Sequence, residues 1–406
     1  MGRETEEKQG EGRAFRLLSL ALTIYTPSFL IAVGMGMTIP VLPLFAKELG
    51  AAVGVTGVVV ALKGLGNMLF DLPSGLLVSR VGKRGLMLAS AGASALMALG
   101  AGLSPNVWVL AVLVFFGGIG QSSWMLARLA YLKDAVPSGR RGRALSMVGG
   151  VMRIGVFIGP ILGGFLGERF GMRVAFYGQG ALCLLAFLLV AAKVESGRQA
   201  LTRGSSALGR VRETVSAHRE SFLRYGSVIF ALSLLRSGRQ ILFPLWGDHI
   251  GLDLSSIGLV FGLASAVDMT LFYPAGTIMD RFGRKWAAAP CMILLSASLA
   301  LLPLTGSFST MLLASLLGGI GNGLGSGIVI TMGSDLAPRH RVGEFLGVWR
   351  LIADVGQTAA PFIIGLVAQF VTLGLSSIIS AGLGAVGVSV LIFLASETRP
   401  EKPPVA

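Results

Sequence analysis

Residues 71–85 read DLPSGLLVSRVGKRG, and residues 272–286 read FYPAGTIMDRFGRKW. Both stretches place a proline two residues before a glycine, continue with apolar residues and end in a basic turn of the form R-x-G-[KR]-[RK]. The second copy begins 201 positions after the first, and its Asp280 stands where the first copy has Ser79. A phrase of this length that occurs twice indicates an internal repeat.

The repeat extends far beyond these two stretches and needs no gap. The sequence GGIG occurs at 117–120 and again, at the same offset, at 318–321. Other matching positions are Pro73 with Pro274, Gly75 with Gly276, Arg80 with Arg281, Gly82 with Gly283, Asp134 with Asp335, Pro137 with Pro338, Gly155 with Gly356, Pro160 with Pro361, and Gly164 with Gly365. The chain is therefore predicted to consist of two copies of one unit.

The composition predicts an all-α membrane protein. Of the 406 residues, 53% are hydrophobic and only 13% are charged, about half the roughly 25% that is usual in soluble domains. Residues 17–46 and 85–127 contain no charged side chain. A helix needs about 20 such residues to cross the roughly 30 Å hydrocarbon layer, so these runs are long enough to span it.

Twelve apolar runs are expected to be transmembrane helices. They lie at 17–46, 54–79, 85–103, 107–131, 143–167, 172–193, 222–247, 254–280, 286–305, 308–334, 343–369 and 373–396. The predicted domains are a cytosolic tail (1–16), a six-helix bundle (17–194), a cytosolic linker (195–221), a second six-helix bundle (222–396) and a cytosolic tail (397–406). An even number of spans per copy gives both bundles the same direction in the membrane, the parallel-repeat design of secondary transporters.

The net charge of +14 is explained by topology rather than by nucleic-acid binding. With the N-terminus in the cytosol, the great majority of the 34 Lys and Arg residues fall in cytosolic segments, and only Lys47, Arg169 and Arg173 fall in external loops. Both termini are therefore expected in the cytosol, in a bacterial plasma membrane. Cys183 and Cys291 lie in apolar runs and are interpreted as buried thiols rather than as metal ligands.

The duplicated phrase carries a family resemblance. The stretches GLLVSRVGKR (75–84) and GTIMDRFGRK (276–285) resemble the loop 2–3 and loop 8–9 signatures of the major facilitator superfamily. We call them the first and second gate motifs, because the resemblance implies a cytosolic latch between two halves. The residues that it assigns to the latch are Gly75, Arg80, Gly82, Arg84, Gly276, Asp280, Arg281 and Gly283. Ser79 replaces the usual aspartate, which predicts weaker charge pairing in the first half.

A second motif resembles the twelve-span drug:proton antiporter branch of that superfamily. The stretch GVFIGPILGG (155–164) in span 5 matches the branch signature at Gly155, Gly159, Pro160, Gly163 and Gly164. Its glycines are spaced so that another helix backbone can approach closely. The branch also has a span 4 arginine for proton handling, and here that position is Val114. The resemblance thus favours drug export, but the span 4 arginine that handles the proton in that branch is absent from this chain.

Charged side chains inside the spans are functional candidates, because a charge at mid-bilayer costs roughly 2.5–3.5 kcal/mol on insertion scales. The resemblance implies that spans 2 and 11, and spans 5 and 8, face each other across the two halves. Two inter-half pairs are then expected, Asp71 with Arg350 and Arg153 with Asp268. Asp268 and Asp354 are the candidate carriers of a coupling proton. The alternative is that the pairs only lock one conformation.

The predicted substrate cavity lies between spans 1, 4, 7 and 10, as the resemblance implies. Arg236 and Arg239 lie three residues apart on one face of span 7 and must reach water, an acid or an anionic ligand. An ion pair with Asp268 or Asp354 is the alternative for both. The full set of candidate substrate residues is Tyr25, Gln121, Trp124, Arg236, Arg239, Gln240 and Asn322.

These observations predict a secondary active transporter that works by alternating access, with proton-coupled efflux of hydrophobic or amphipathic small molecules. The alternatives are a transporter of an anionic metabolite or lipid that uses the span 7 arginines, and a non-transporting sensor or scaffold. No G-x-x-x-x-G-K-[ST] loop occurs and no nucleophile, base or metal cluster is arranged, so neither ATP-driven transport nor enzymatic catalysis is expected. The expected partners of this monomer are its substrate, membrane lipid and protons, with no cofactor.

Overall fold

The computed structural model describes residues 20–137, 140–194, 213–339 and 341–398, and these residues confirm the predicted fold class. The N-terminal tail and most of the linker and C-terminal tail lie outside the described residues. Twelve helices are long and apolar enough to cross a membrane. They are α1 (Ala21–Thr38), α2 (Val53–Asp71), α3 (Arg80–Gly102), α4 (Val107–Ala135), α5 (Arg141–Phe170), α6 (Arg173–Lys193), α7 (Arg219–His249), α8 (Leu254–Arg281), α9 (Lys285–Leu304), α10 (Phe308–Leu336), α11 (Val342–Phe370) and α12 (Leu373–Phe393).

Predicted spans 1, 2, 3 and 10 differ in detail from the observed helices, each time at a proline or glycine. The run predicted as span 1 divides into α1 and a short helix, Val41–Glu48, which begins directly after Pro40. Helical conformation continues past the end of α2 to a kink at Gly82, where φ is 76° and the backbone is not helical, and a second helical segment runs from there to Gly102. Helix α10 is interrupted between Leu324 and Ile328, and Gly327 at the break has a left-handed φ of 82°.

The glycine motif of α5 is a packing surface for α1. A Cβ atom built on Gly159 would lie 2.6 Å from Cα of Gly36, and one on Gly163 would lie 2.6 Å from Cα of Met37. Gly155 similarly faces Ala32 at 2.6 Å. No side chain fits in these spaces, so glycine allows the two backbones to meet inside the first half.

The halves meet through two helix crossings, α2 with α11 and α5 with α8. In the first, a Cβ atom on Gly365 would lie 2.8 Å from Cα of Gly57. In the second, a Cβ atom on Gly258 would lie 3.0 Å from Cα of Gly164. Adding the repeat offset to Gly57 gives Gly258, and adding it to Gly164 gives Gly365, so the repeat relates the two crossings to each other.

Polar contacts join the halves at the end of the molecule that carries these crossings. Lys47 forms an ion pair with Asp248. The amide of Gly54 donates to Oε1 of Gln369 at 3.1 Å, and the amide of Ser255 donates to Oε2 of Glu168 at 2.9 Å. We call this end the closed face.

The opposite end carries the gate motifs, and we call it the open face because several of its described glycines have open space beside them. Gly149 lies four residues before Arg153 on α5, Gly347 lies three residues before Arg350 on α11, and Gly276 lies near the end of α8. A Cβ atom built on any of these three glycines would meet no described heavy atom within 4 Å. The described backbone contacts between the halves thus lie toward the closed face, and there is open space beside these three glycines at the open face.

Candidate substrate and coupling site

A polar cavity of about 220 Å³ lies where α5 of the first half meets α7 and α10 of the second. Its described lining is Arg153, Arg236, Arg239, Gln240, Asn322, Ser326 and Gly327. Three of these residues are arginines, and none of the described lining residues is acidic. Four predicted substrate residues are thus brought together in one cavity.

Only some of the hydrogen-bond donors of the two α7 arginines have a partner. Nη2 of Arg236 donates to the carbonyl of Gly325 at 2.9 Å, an acceptor made available by the break in α10. Nε of Arg236 and Nη1 of Arg239 are buried without a hydrogen-bond partner. The side chain of Arg239 packs against Gly318, since a Cβ atom there would lie 3.2 Å from its Cδ and Nη1. Neither arginine forms the ion pair that the sequence offered as the alternative.

Arg153 connects this cavity to the opposite half. Its Nη1 lies 3.0 Å from Oδ2 of Asp268, and its Nη2 donates to Oγ of Ser326 at 2.9 Å. Its guanidinium also stands 4.6 Å from the ring centroid of Phe272. The other carboxylate oxygen of Asp268, Oδ1, is buried without a partner.

A second inter-half cluster lies on α2 and α11. Nε of Arg350 is 2.6 Å from Oδ2 of Asp71 and 3.8 Å from Oδ2 of Asp354. Ser122 donates to Asp71, and Nη2 of Arg350 approaches Sδ of Met125 at 3.7 Å. Two carboxylates therefore share one guanidinium. Both pairings expected from the sequence are present as contacts.

The first half contains a smaller and more apolar cavity of about 50 Å³. Gln121 and Trp124, both sequence candidates, line it together with Met35 and Thr38 of α1. Lys63 of α2 also lines it. This lysine shares its span with Asp71 and belongs to the charged in-span side chains that the sequence marks as functional candidates, although no partner was predicted for it.

Tyr25 does not line either cavity. It belongs to a π-helical turn at the start of α1 and packs against a hydrophobic cluster that includes Ile24, Val148 and Met152. The structure thus separates this residue from the other substrate candidates.

The two cavities occupy equivalent positions in the two repeats. At the repeat offset, Met35 corresponds to Arg236, Thr38 to Arg239 and Gln121 to Asn322. The same places on the two bundles therefore carry apolar or neutral side chains in the first half and arginines in the second.

The first gate motif is held within its own half. Lys83 forms an ion pair with Asp134 of α4, and Nη2 of Arg84 donates to the carbonyl of Ala191 at 2.8 Å. The chain turns at Gly82 through its positive φ, which strongly favours glycine. The side chain of Ser79 lies outside what the structure describes, so the predicted effect of this replacement stays a prediction.

The second gate motif contacts a larger number of acidic residues than the first. Arg284, the counterpart of Lys83, lies 2.7 Å from Asp335 and 3.4 Å from Asp280. Glu397 accepts hydrogen bonds from the amides of Arg284 and Lys285 at the start of α9. The sequence analysis named Asp280, but its side chain is 80% exposed, whereas Asp335 is 12% exposed. Asp335 is therefore the principal acid, a role that the repeat match with Asp134 could have indicated.

Each of the gate-motif ion pairs described above lies within one half. Arg80 and Arg281 are exposed at the open face. A latch between halves would require the open face to close.

Twelve helices in two repeated bundles, with paired charges across the bundle interface, define a membrane transport protein. The chain belongs to the Major Facilitator Superfamily, whose family profile matches residues 27–242 and 225–406. This membership confirms the family resemblance that the gate motifs indicated.

Named relatives agree with this assignment. Multidrug resistance protein 2 of Bacillus subtilis (strain 168) is 25% identical over 275 residues, 65% of this chain and 68% of that protein. Quinolone resistance protein NorA of Staphylococcus aureus (strain MRSA252) is 30% identical over 190 residues, 46% of this chain and 47% of that protein, so the match spans about half of each. The crystal structure of a D-xylose-proton symporter shares the fold, with a TM-score of 0.75 at 16% identity over 94% of this chain and 99% of that one.

Proposed function

We propose that this member of the superfamily is a secondary active transporter that exports hydrophobic or amphipathic small molecules in exchange for protons. The observation that carries the proposal is the asymmetry of the inter-half contacts. Backbones touch at Gly57 with Gly365 and at Gly164 with Gly258 on the closed face, while Gly149 on the open face has no described neighbour within 4 Å. Rocking of two bundles around a central site would exchange the two faces.

The open face is proposed to be cytosolic. It carries the basic gate motifs, and cytosolic loops of membrane proteins carry an excess of Lys and Arg. Both termini would then be cytosolic as well, and the structure would represent the state that takes substrate from the cell interior. The relatives named for multidrug and quinolone resistance support export as the direction.

Proton coupling is proposed to use the two inter-half clusters. Asp71 and Asp354 share Arg350, so this cluster can carry one negative charge or, with one proton bound, none. Asp268 is held by Arg153 alone, and its second oxygen lacks a partner. Both clusters bridge the halves and must change when the halves rock, which would link protonation to the conformational change.

The test is proton-driven flux in proteoliposomes that contain the purified full chain. A pH gradient should drive uptake of ethidium or of a fluoroquinolone, and dissipating the gradient should stop it. Asp268→Asn and Asp354→Asn should reduce gradient-driven flux at least tenfold. Glu220→Gln, an exposed acid at the start of α7, is the matched control and should transport normally. Full gradient-driven flux in both aspartate variants would refute these proton carriers, and no flux of any probe would favour the sensor or scaffold alternative.

A further inference from the structure

The polar cavity contains more positive charge than its surroundings balance. Its lining carries the guanidinium groups of Arg153, Arg236 and Arg239, and among the described residues the one carboxylate in contact with them is Asp268, through Arg153. The described part of the cavity thus has an excess of two positive charges. Uncompensated charge inside a membrane protein is costly, so it is normally matched by a partner or a ligand.

Part of the hydrogen-bond capacity of these arginines is also unused. Each guanidinium offers five N–H donors. Nη2 of Arg236 has one carbonyl partner, whereas Nε of Arg236 and Nη1 of Arg239 have none and are buried. Donors of this kind match the oxygens of a carboxylate or phosphate, which accept two parallel hydrogen bonds from one guanidinium.

The break in α10 adds to this positive environment. The second segment of α10 is Ile328–Leu336. Its N-cap residue, Gly327, lines the cavity. The N-terminal end of a helix carries a partial positive charge and free amide groups, and half-helix N-termini point at anionic groups in other transporters. Ser326, on the same break, already accepts a hydrogen bond from Arg153.

We propose that this cavity binds the oxyanion head group of an anionic amphiphile, a carboxylate or a phosphate, and that the apolar body of the ligand lies toward the first half. This inference rests on the proposed transport function and narrows its substrate class. The size is suitable, since about 220 Å³ accommodates a head group and a few further atoms. The corresponding positions in the first half, Met35 and Thr38, together with Trp124, offer the apolar and weakly polar surface that an attached body needs.

Lys63 is the competing anchor, because it is the one described cation that lines the first-half cavity. If Lys63 held the anion, the head group would lie in the first half and the ligand would be reversed. Variants of Lys63 and of the α7 arginines therefore distinguish the two orientations.

The experiment uses three fluorescent probes that share one aromatic body and end in a carboxylate, a phosphate or a neutral primary amide. Binding to the purified full chain in detergent is measured by fluorescence anisotropy. The carboxylate and phosphate probes should bind at least tenfold more tightly than the amide. Arg239→Met and Arg236→Met should each remove most of this preference, a loss of roughly tenfold or more for charge-assisted hydrogen bonds, with amide binding unchanged.

Arg224→Met is the matched control, since Arg224 lies on the same helix, pairs with Glu220 and is half exposed. It should keep the full preference. Unchanged amide binding shows that each variant is folded. Equal binding of all three probes to the natural protein would overturn the proposal, as would a preference that survives in both α7 variants or is lost only in Lys63→Met. Gradient-driven ethidium flux in the natural protein separates the two proposals, because flux together with equal binding of the three probes would leave export standing and overturn only the anion site.

Discussion

Replacing Gly164 by alanine should shift the protein away from the state that is closed at Lys47 and Asp248. The new Cβ atom would lie 2.6 Å from the carbonyl oxygen of Leu254 and 3.0 Å from Cα of Gly258, where ordinary contact begins at 3.4 Å. Both neighbours are backbone atoms of α8 and cannot rotate away. The crossing must therefore open by several tenths of an ångström.

The expected magnitude follows from the cost of overpacking, about 1–3 kcal/mol for an added methyl group in a tight contact. Since each 1.4 kcal/mol is a factor of ten in an equilibrium, the ratio of closed to open at this face should fall about 5- to 150-fold. The penalty applies only while α5 and α8 touch, because a state in which they separate has room for the methyl group. Gly365→Ala at the equivalent crossing with Gly57 should act in the same direction.

The assay is a distance measurement by pulsed EPR between spin labels at Glu48→Cys and His249→Cys, two exposed positions beside the Lys47–Asp248 ion pair. Cys183 and Cys291 are fully buried, so labelling is confined to the introduced cysteines. The control is Gly382→Ala on α12, which has no neighbour within 4 Å and carries the same roughly 1 kcal/mol gain in helix propensity. If the long-distance population in Gly164→Ala equals that of the control, the steric reasoning is wrong.

Three further predictions concern the charge pairs and the loops. Asp71→Arg and Arg350→Asp should each abolish transport in proteoliposomes, and the double swap should restore part of it; a double swap no better than either single change would refute the functional pairing. Gly283→Ala should lower the free energy of unfolding in detergent by about 1–3 kcal/mol relative to Gly382→Ala, as followed by thermal unfolding. The φ of 115° at Gly283 is unfavourable for alanine, and the new Cβ atom would lie 2.5 Å from the carboxylate that caps α9. Hydrogen bonds donated by Ser256, first by its side chain and then by its backbone amide, lower the pKa of Asp253. This carboxylate therefore stabilises the folded state above its unfolded pKa and loses that contribution as pH falls through the folded value. The thermal stability of Asp253→Asn should therefore fall less than that of the natural protein between pH 6 and pH 3, and equal slopes would contradict this assignment.

Much of the candidate site could be predicted from the sequence, because charge inside a membrane span is rare and costly. Arg153, Arg236 and Asp268 stand out in apolar runs for that reason alone. The family resemblance then supplied which spans face each other, and the contacts of Arg350 with Asp71 and of Arg153 with Asp268 follow that arrangement.

Other parts of the site could not be predicted from the sequence. Tyr25 was expected in the cavity on the basis of its span, but which side of a helix faces a neighbour depends on packing, and Tyr25 joins a hydrophobic cluster instead. The break at Gly327, beside which Ser326 and the carbonyl of Gly325 contact the arginines, depends on a backbone conformation that a glycine permits but does not impose. The contact between Asp335 and Arg284 likewise depends on how the second gate motif packs against α10.

By itself, the sequence determined that this protein has twelve membrane spans in two repeated units, because hydrocarbon demands long apolar helices and a fixed offset demands duplication. Only the tertiary structure decided that equivalent positions of the two units form an apolar cavity in one half and a cationic cavity in the other. It also decided that the glycines Gly57 and Gly164 each meet a glycine of the opposite half. The physical reason is that contacts between helices depend on rotation and separation, which hydrophobicity in a lipid environment does not specify.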